Sequence, residues 1–87
     1  MTFTKEIIFP FDLKGRTAAR FVQESAYNTY HTVFLRKDNR EVNINSLLGV
    51  LSLTIKKGTK VELVSHEEEA LNKILKVIEQ INFESKI

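Results

Sequence analysis

The apolar residues of this 87-residue chain switch repeatedly between a period of about two and a period of about 3.6, with no linker between the switches. That alternation limits the fold more than any composition figure does. Thr2 to Phe9 alternates as a strand, with Phe3, Ile7 and Phe9 to one side, and Lys5 breaks the pattern as a residue near a sheet edge does. Pro10 has no N–H to give a ladder and ends the strand. Phe11 to Gly15 is a short loop. From Arg16 onward, Ala18, Phe21, Val22, Ser25 and Ala26 form a small, apolar stripe on a helix that ends near Asn28. His31 to Lys37, rich in Thr, Val, Phe and Leu, predicts a second strand. Asp38-Asn39 makes a two-residue turn, and Arg40 to Ile44 returns as a third strand.

Asn45 or Ser46 then serves as the N-cap of a helix of about two turns, which carries Leu47, Leu48, Val50 and Leu51 with Gly49 inside it. So short a helix has little stability of its own and must lean on the rest of the fold. Lys56-Lys57-Gly58 is a turn before a fourth strand, Thr59 to Val64. Ser65-His66-Glu67-Glu68 reads as a capping box, with Ser65 at the N-cap and Glu68 three positions on. The helix it opens buries Ala70, Leu71, Ile74, Val77, Ile78 and Ile81 and runs to about Asn82. The order is βαββαβα. Two strand–helix–strand crossovers, each right-handed, place every helix on the same side of one sheet. The expected fold is therefore an α+β open-faced sandwich: four strands, three helices on one face, a single domain over residues 1–87.

Composition excludes several classes. A hydrophobic content of 43% with three Gly and one Pro is not that of a disordered chain. The absence of cysteine rules out a disulfide framework, a thiolate metal site and a cysteine nucleophile, and suits a reducing compartment. Net charge is +2, and the Lys and Arg residues are scattered rather than gathered into a nucleic-acid footprint. No apolar run approaches the roughly 18 residues of a membrane span, and Met1-Thr2-Phe3-Thr4-Lys5-Glu6 is not a signal peptide. A soluble, cytoplasmic protein is expected. His31 and His66 have no metal-ligand spacing, and no catalytic triad, carboxylate pair or Gly-rich phosphate loop is present.

Three stretches together resemble the histidine-containing phosphocarrier (HPr) family of the bacterial sugar phosphotransferase system. They are Asp12-Leu13-Lys14-Gly15-Arg16-Thr17-Ala18-Ala19, Asn43-Ile44-Asn45-Ser46-Leu47-Leu48-Gly49-Val50-Leu51-Ser52-Leu53, and the Lys57-Gly58-Thr59 turn with its strand. The first lies where the family carries its active-site loop, and the second resembles its regulatory serine segment. The resemblance runs from about Thr2 to Ile81. It implies the same βαββαβα sandwich and adds what patterning does not supply, an antiparallel strand order 1-4-2-3.

The first stretch departs from the family at its central position. Lys14 stands where the phosphorylated histidine is expected, and Thr17 where a proline follows the arginine. A histidine carries phosphoryl groups because its neutral ring nitrogen is nucleophilic near pH 7. An exposed lysine is protonated there and has no lone pair to offer. The resemblance therefore implies the Crh-like subgroup, which lacks the active-site histidine. Such a protein is no enzyme and no carrier, and takes part in carbon catabolite repression once phosphorylated on serine. It implies Ser46 as the phosphorylation site and an HPr serine kinase/phosphorylase-like enzyme and a LacI-type transcription regulator as partners. Neither cofactor, direct nucleic-acid contact nor membrane contact is implied.

Each of these residues also has a plainer reading. Lys14 and Arg16 either hold an anion against the free N–H groups of a helix start or bend away into water. Ser46 is either a helix cap alone or a cap that also accepts phosphate, which helix N–H groups would accommodate. Leu47, Leu48 and Leu51 cannot all face the core of so short a helix, and the resemblance makes them partner-binding residues. Leu48 and Leu51, three apart, are expected to divide, one to the core and the other to a partner. Two other functions remain open: an interaction module that has lost both phosphorylations, and a nucleic-acid-binding sheet that uses Phe34, on the face opposite Val33 and Leu35, to stack bases.

Overall fold

The structure, a computed structural model, describes residues 1–85. Its elements are β1 (Phe3–Ile8), α1 (Gly15–Asn28), β2 (Val33–Lys37), β3 (Arg40–Asn43), α2 (Leu47–Ser52), β4 (Lys60–Ser65) and α3 (Glu68–Ser85). The strands form one antiparallel sheet in the order β1-β4-β2-β3. The helices lie on one face of it. The element order agrees with the periodicity and the sheet order with what the resemblance implies, and element boundaries move by no more than three residues.

Alternation decides which face is covered. Val33 and Leu35 of β2 and Val61 and Leu63 of β4 are buried toward the helices. Against them pack Ala18 and Phe21 of α1, Val50 of α2, and Ala70, Leu71, Ile74, Val77, Ile78 and Ile81 of α3. Each Val, Leu, Ile or Phe side chain so removed from water contributes roughly 1.5–3 kcal/mol. Ala26, expected on the buried stripe of α1, is exposed, because the stripe ends at Ser25.

Two expectations from the sequence fail locally. Ser65 is not the N-cap of α3, and its Oγ instead accepts the Glu67 N–H at 3.2 Å just ahead of the helix. It is the last residue of β4, buried between Phe3 and Val33 in the ladder, and its hydroxyl donates to the Thr32 carbonyl at 2.8 Å. The ladder extends one residue further than the pattern suggests, so α3 starts at Glu68 and no capping box forms. Phe34 is not an exposed stacking platform. It is half-buried on the open face, level with Val64 and Asn43, and the next row in register is Glu6, Glu62, Arg36 and Glu41. Three carboxylates to one guanidinium repel a phosphate backbone. Arg36 is also engaged already: its Nε donates to Glu62 at 2.9 Å, which holds the guanidinium still more firmly in its charged form.

The segment between β1 and α1 is anchored rather than loose. Phe9 stacks edge-on against Phe11, with ring centres 5.0 Å apart, and against Phe21 of α1 at 5.7 Å. Leu13 is buried, and its N–H donates to the Ile55 carbonyl at 2.9 Å. Phe9 exchanges backbone hydrogen bonds with the 58–59 turn, and the Lys57 N–H donates to Asp12 Oδ1 at 2.9 Å. Residues 9–13 are thus strapped to residues 55–59, and this fixes where α1 begins.

Candidate functional site

Lys14 is the N-cap residue of α1, with extended backbone (φ −145°, ψ 160°) and no side-chain cap on the helix. Gly15 follows with φ +54°, a conformation that costs a residue with a Cβ about 1–2 kcal/mol. The sequence places at this turn the one residue type that adopts it freely. Lys14 is exposed, and its Nζ stands 4.0 Å from the Asp12 carboxylate. Arg16 is exposed too, and among the described residues it joins none of the ion pairs.

The second half of the site is α2. Asn43 ends β3 by accepting the Asn45 N–H on its side chain at 2.8 Å and the Ser46 N–H on its carbonyl at 2.9 Å. Of the two candidates, Ser46 is the N-cap: its Oγ accepts the Gly49 N–H at 3.1 Å. Gly49 leaves little room above this contact: a Cβ there would stand 3.0 Å from Ser46 Oγ and 3.1 Å from the Val42 Cβ, so both neighbours would have to give by a few tenths of an ångström. Ser46 itself is exposed.

The expected division between Leu48 and Leu51 does not occur. Val50 is the only residue of α2 that is buried, so the core contact falls between them. Leu48 is 81% exposed, while Leu47 and Leu51, four apart on one side of the helix, are each 37% exposed. All three leucines therefore face outward as one apolar patch. The chain leaves α2 through the buried Leu53 and Ile55, which carry the core contact onward.

A shallow cavity of about 140 Å³ joins the two halves; Asp12, Leu13, Lys14, Leu51, Thr54, Ile55 and Lys56 line it. The structure thus brings together Lys14 and Leu51. Ser46 lies at the opposite end of α2, about 8 Å away along the helix axis by the rise per residue. Lys56 and Thr54 join this site without a motif to mark them. The only sequence signal near them is the Lys57-Gly58-Thr59 turn, which positions the strand rather than marking a site.

Both histidines lie at the far end of the domain. α1 spans 14 residues, about 21 Å, between the Lys14 end and the approach to His31. His66 follows Ser65, which pairs with Phe3 at the start of β1, and its Nδ1 meets the Met1 carbonyl oxygen at 3.0 Å. Neither ring stands near the Lys14 turn. Among the described residues no group of three His, Asp or Glu side chains is arranged to hold a metal ion, and no helix is long and apolar enough to cross a membrane.

Residues 1–80 match the family model described as the phosphotransferase-system HPr component phosphorylation site. The HPr-like protein Crh of Bacillus subtilis is 38% identical over 78 residues, covering 86% of this chain and 91% of that protein. The solution structure of Bacillus subtilis Crh superposes with a TM-score of 0.64 at 35% identity, covering 90% of this chain and 92% of that one. The phosphocarrier HPr of Bacillus anthracis superposes with a TM-score of 0.77 at 26% identity, covering 88% and 93%. Sheet order, helix placement and these matches define one class: the chain belongs to the HPr family. Within it, the chain is a Crh-like homologue.

Proposed function

We propose that this protein is a regulatory, cytoplasmic member of the family that does not carry phosphate on histidine. It acts in carbon catabolite repression after phosphorylation on Ser46. The observation that carries this reading is the pairing of two helix starts. At α1, where a carrier needs a nucleophilic imidazole, the exposed group is the Lys14 ammonium, and both histidines are about a helix length away. At α2 an exposed serine hydroxyl already sits on a helix N–H, beside an outward patch of leucines.

Phosphorylation of Ser46 adds about −1.5 to −2 charges. The new oxygens fall next to the Gly49 N–H and the positive end of α2, so the helix tolerates them. The product is a phosphate bordered by Leu47 and Leu48. An arginine of a partner forms charge-assisted bonds to the phosphate while its apolar surface covers the leucines. Lys14 and Arg16 add positive charge at the neighbouring helix start, suited to a partner carboxylate. The partners that fit are an ATP-dependent HPr serine kinase/phosphorylase-like enzyme and a LacI-type transcription regulator. No cofactor is called for.

The test is binding of a purified LacI-type regulator to the Ser46-phosphorylated protein, the unphosphorylated protein and Ser46→Ala. Tight binding by the phosphorylated form alone is expected. Equal binding by Ser46→Ala would leave an interaction module that depends on neither phosphorylation.

A further inference from the structure

The C-terminal end of α2 is held from outside the helix. Lys37 Nζ donates to the Leu53 carbonyl at 2.8 Å and to the Thr54 carbonyl at 3.1 Å. The Arg40 guanidinium donates to the Ser52 carbonyl and to Ser52 Oγ, both at 2.9 Å. The Ser52 hydroxyl in turn donates to the Gly49 carbonyl at 2.6 Å. Three consecutive carbonyls at a helix end, where partial negative charge gathers, thus meet two cations. Both cations flank one two-residue turn, Asp38-Asn39, between β2 and β3.

The backbone just past the helix points the same way independently. Thr54 adopts φ +52°, the left-handed region that a β-branched residue rarely enters. Such a conformation persists where the surroundings over-determine it. Here Lys37 grips the carbonyls of Thr54 and of the residue before it. A six-residue helix has no stability of its own, and only Val50 ties α2 into the core.

We infer that Lys37 and Arg40 form a clamp that fixes the last turn of α2, and that they are positioning residues for the patch of Leu47, Leu48 and Leu51 and for the cavity beside Lys14. Without the clamp the last turn frays, Thr54 leaves the left-handed region and Leu51 loses its place against the Lys14 turn. A partner that docks on α2 then meets the competent arrangement only part of the time, and its apparent affinity falls by that fraction. The functional consequence rests on the proposed docking of a partner on α2; the clamp does not.

The test is amide hydrogen exchange, resolved by residue, on the full chain without any partner. The variants are Lys37→Met, Arg40→Gln and Lys37→Arg. The Leu53 and Thr54 amides donate to the Val50 and Leu51 carbonyls at 3.2 Å and report on the last turn. In Lys37→Met and in Arg40→Gln they are expected to exchange about tenfold faster or more, the loss that a charged hydrogen bond represents. The β4 amides from Val61 to Val64 should change by less than about twofold. Lys37→Arg, which keeps the charge and the donors, should stay close to wild type. Unchanged α2 exchange would overturn the clamp. So would equal acceleration in α2 and β4, which marks a general loss of stability, or a Lys37→Arg protein as fast as Lys37→Met. Because no kinase or regulator enters the assay, its outcome is independent of whether Ser46 is phosphorylated.

Discussion

α1 and α2 begin in opposite ways. The first starts at a lysine that caps nothing, next to a left-handed glycine, and is held in place by buried side chains behind it: Phe9, Phe11 and Leu13. The second starts at a serine whose hydroxyl satisfies a helix N–H; Ile44 is buried just before it, and within the helix only Val50 is buried. A helix start can thus be made stable by local hydrogen bonding or by anchoring from the core. Only the locally bonded one ends in an exposed hydroxyl. The anchored start takes its shape from Phe9, Phe11 and Leu13, and so does not depend on a side-chain cap from Lys14.

The largest effect should come from cutting the anchor. Leu13→Ala removes a buried side chain and should cost about 2–5 kcal/mol in urea unfolding. A comparable loss from Leu48→Ala would break the contrast, since Leu48 is 81% exposed and its truncation should change stability by less than about 0.5 kcal/mol. Gly15→Ala comes next, at about 1–2 kcal/mol, because φ is +54° there and not for lack of space: nothing lies within 4 Å of the added Cβ. Exchanging the caps sharpens the comparison further. Ser46→Ala should cost about 1 kcal/mol, whereas Lys14→Ser should gain a similar amount, since its backbone already has the extended geometry a cap requires. The smallest effect is Thr54→Gly, which relieves a left-handed β-branched residue but frees the unfolded chain, for a net gain of about 0.5–1 kcal/mol.

Periodicity is enough to find the four strands, the three helices and most core residues on them, because burial on one face writes itself into the spacing of Val, Ile, Leu and Phe; it misses Phe11, Leu13, Leu53 and Ile55, which are buried from the connecting segments. It does not reveal where Ser65 belongs. A serine followed three positions on by glutamate has the same local pattern whether it caps a helix or ends a strand, and here pairing with Phe3 and Val33 decides the matter. The division expected between Leu48 and Leu51 fails for a related reason. On so short a helix, Val50 alone fills the contact with the core, and the three leucines are left outside. Lys37 and Arg40 carry no sequence signal at all. Each is an ordinary charged residue beside a turn, and only the tertiary fold carries the hairpin to the end of α2.

The difference between the two helix starts is tested most directly by offering the protein two phosphate donors side by side. One is ATP with an HPr serine kinase. The other is phosphoenolpyruvate with the phosphotransferase-system enzyme that charges carriers. Labelled protein is mapped by mass spectrometry at neutral pH, since phosphohistidine is lost in acid. Label from ATP on Ser46, and none from phosphoenolpyruvate on Lys14, His31 or His66, is the expected result. Acid-labile phosphate on either histidine or on Lys14, at a rate comparable to a working carrier, would contradict it, as would ATP-derived label on Ser25, Ser52, Ser65 or Ser85 with Ser46 untouched.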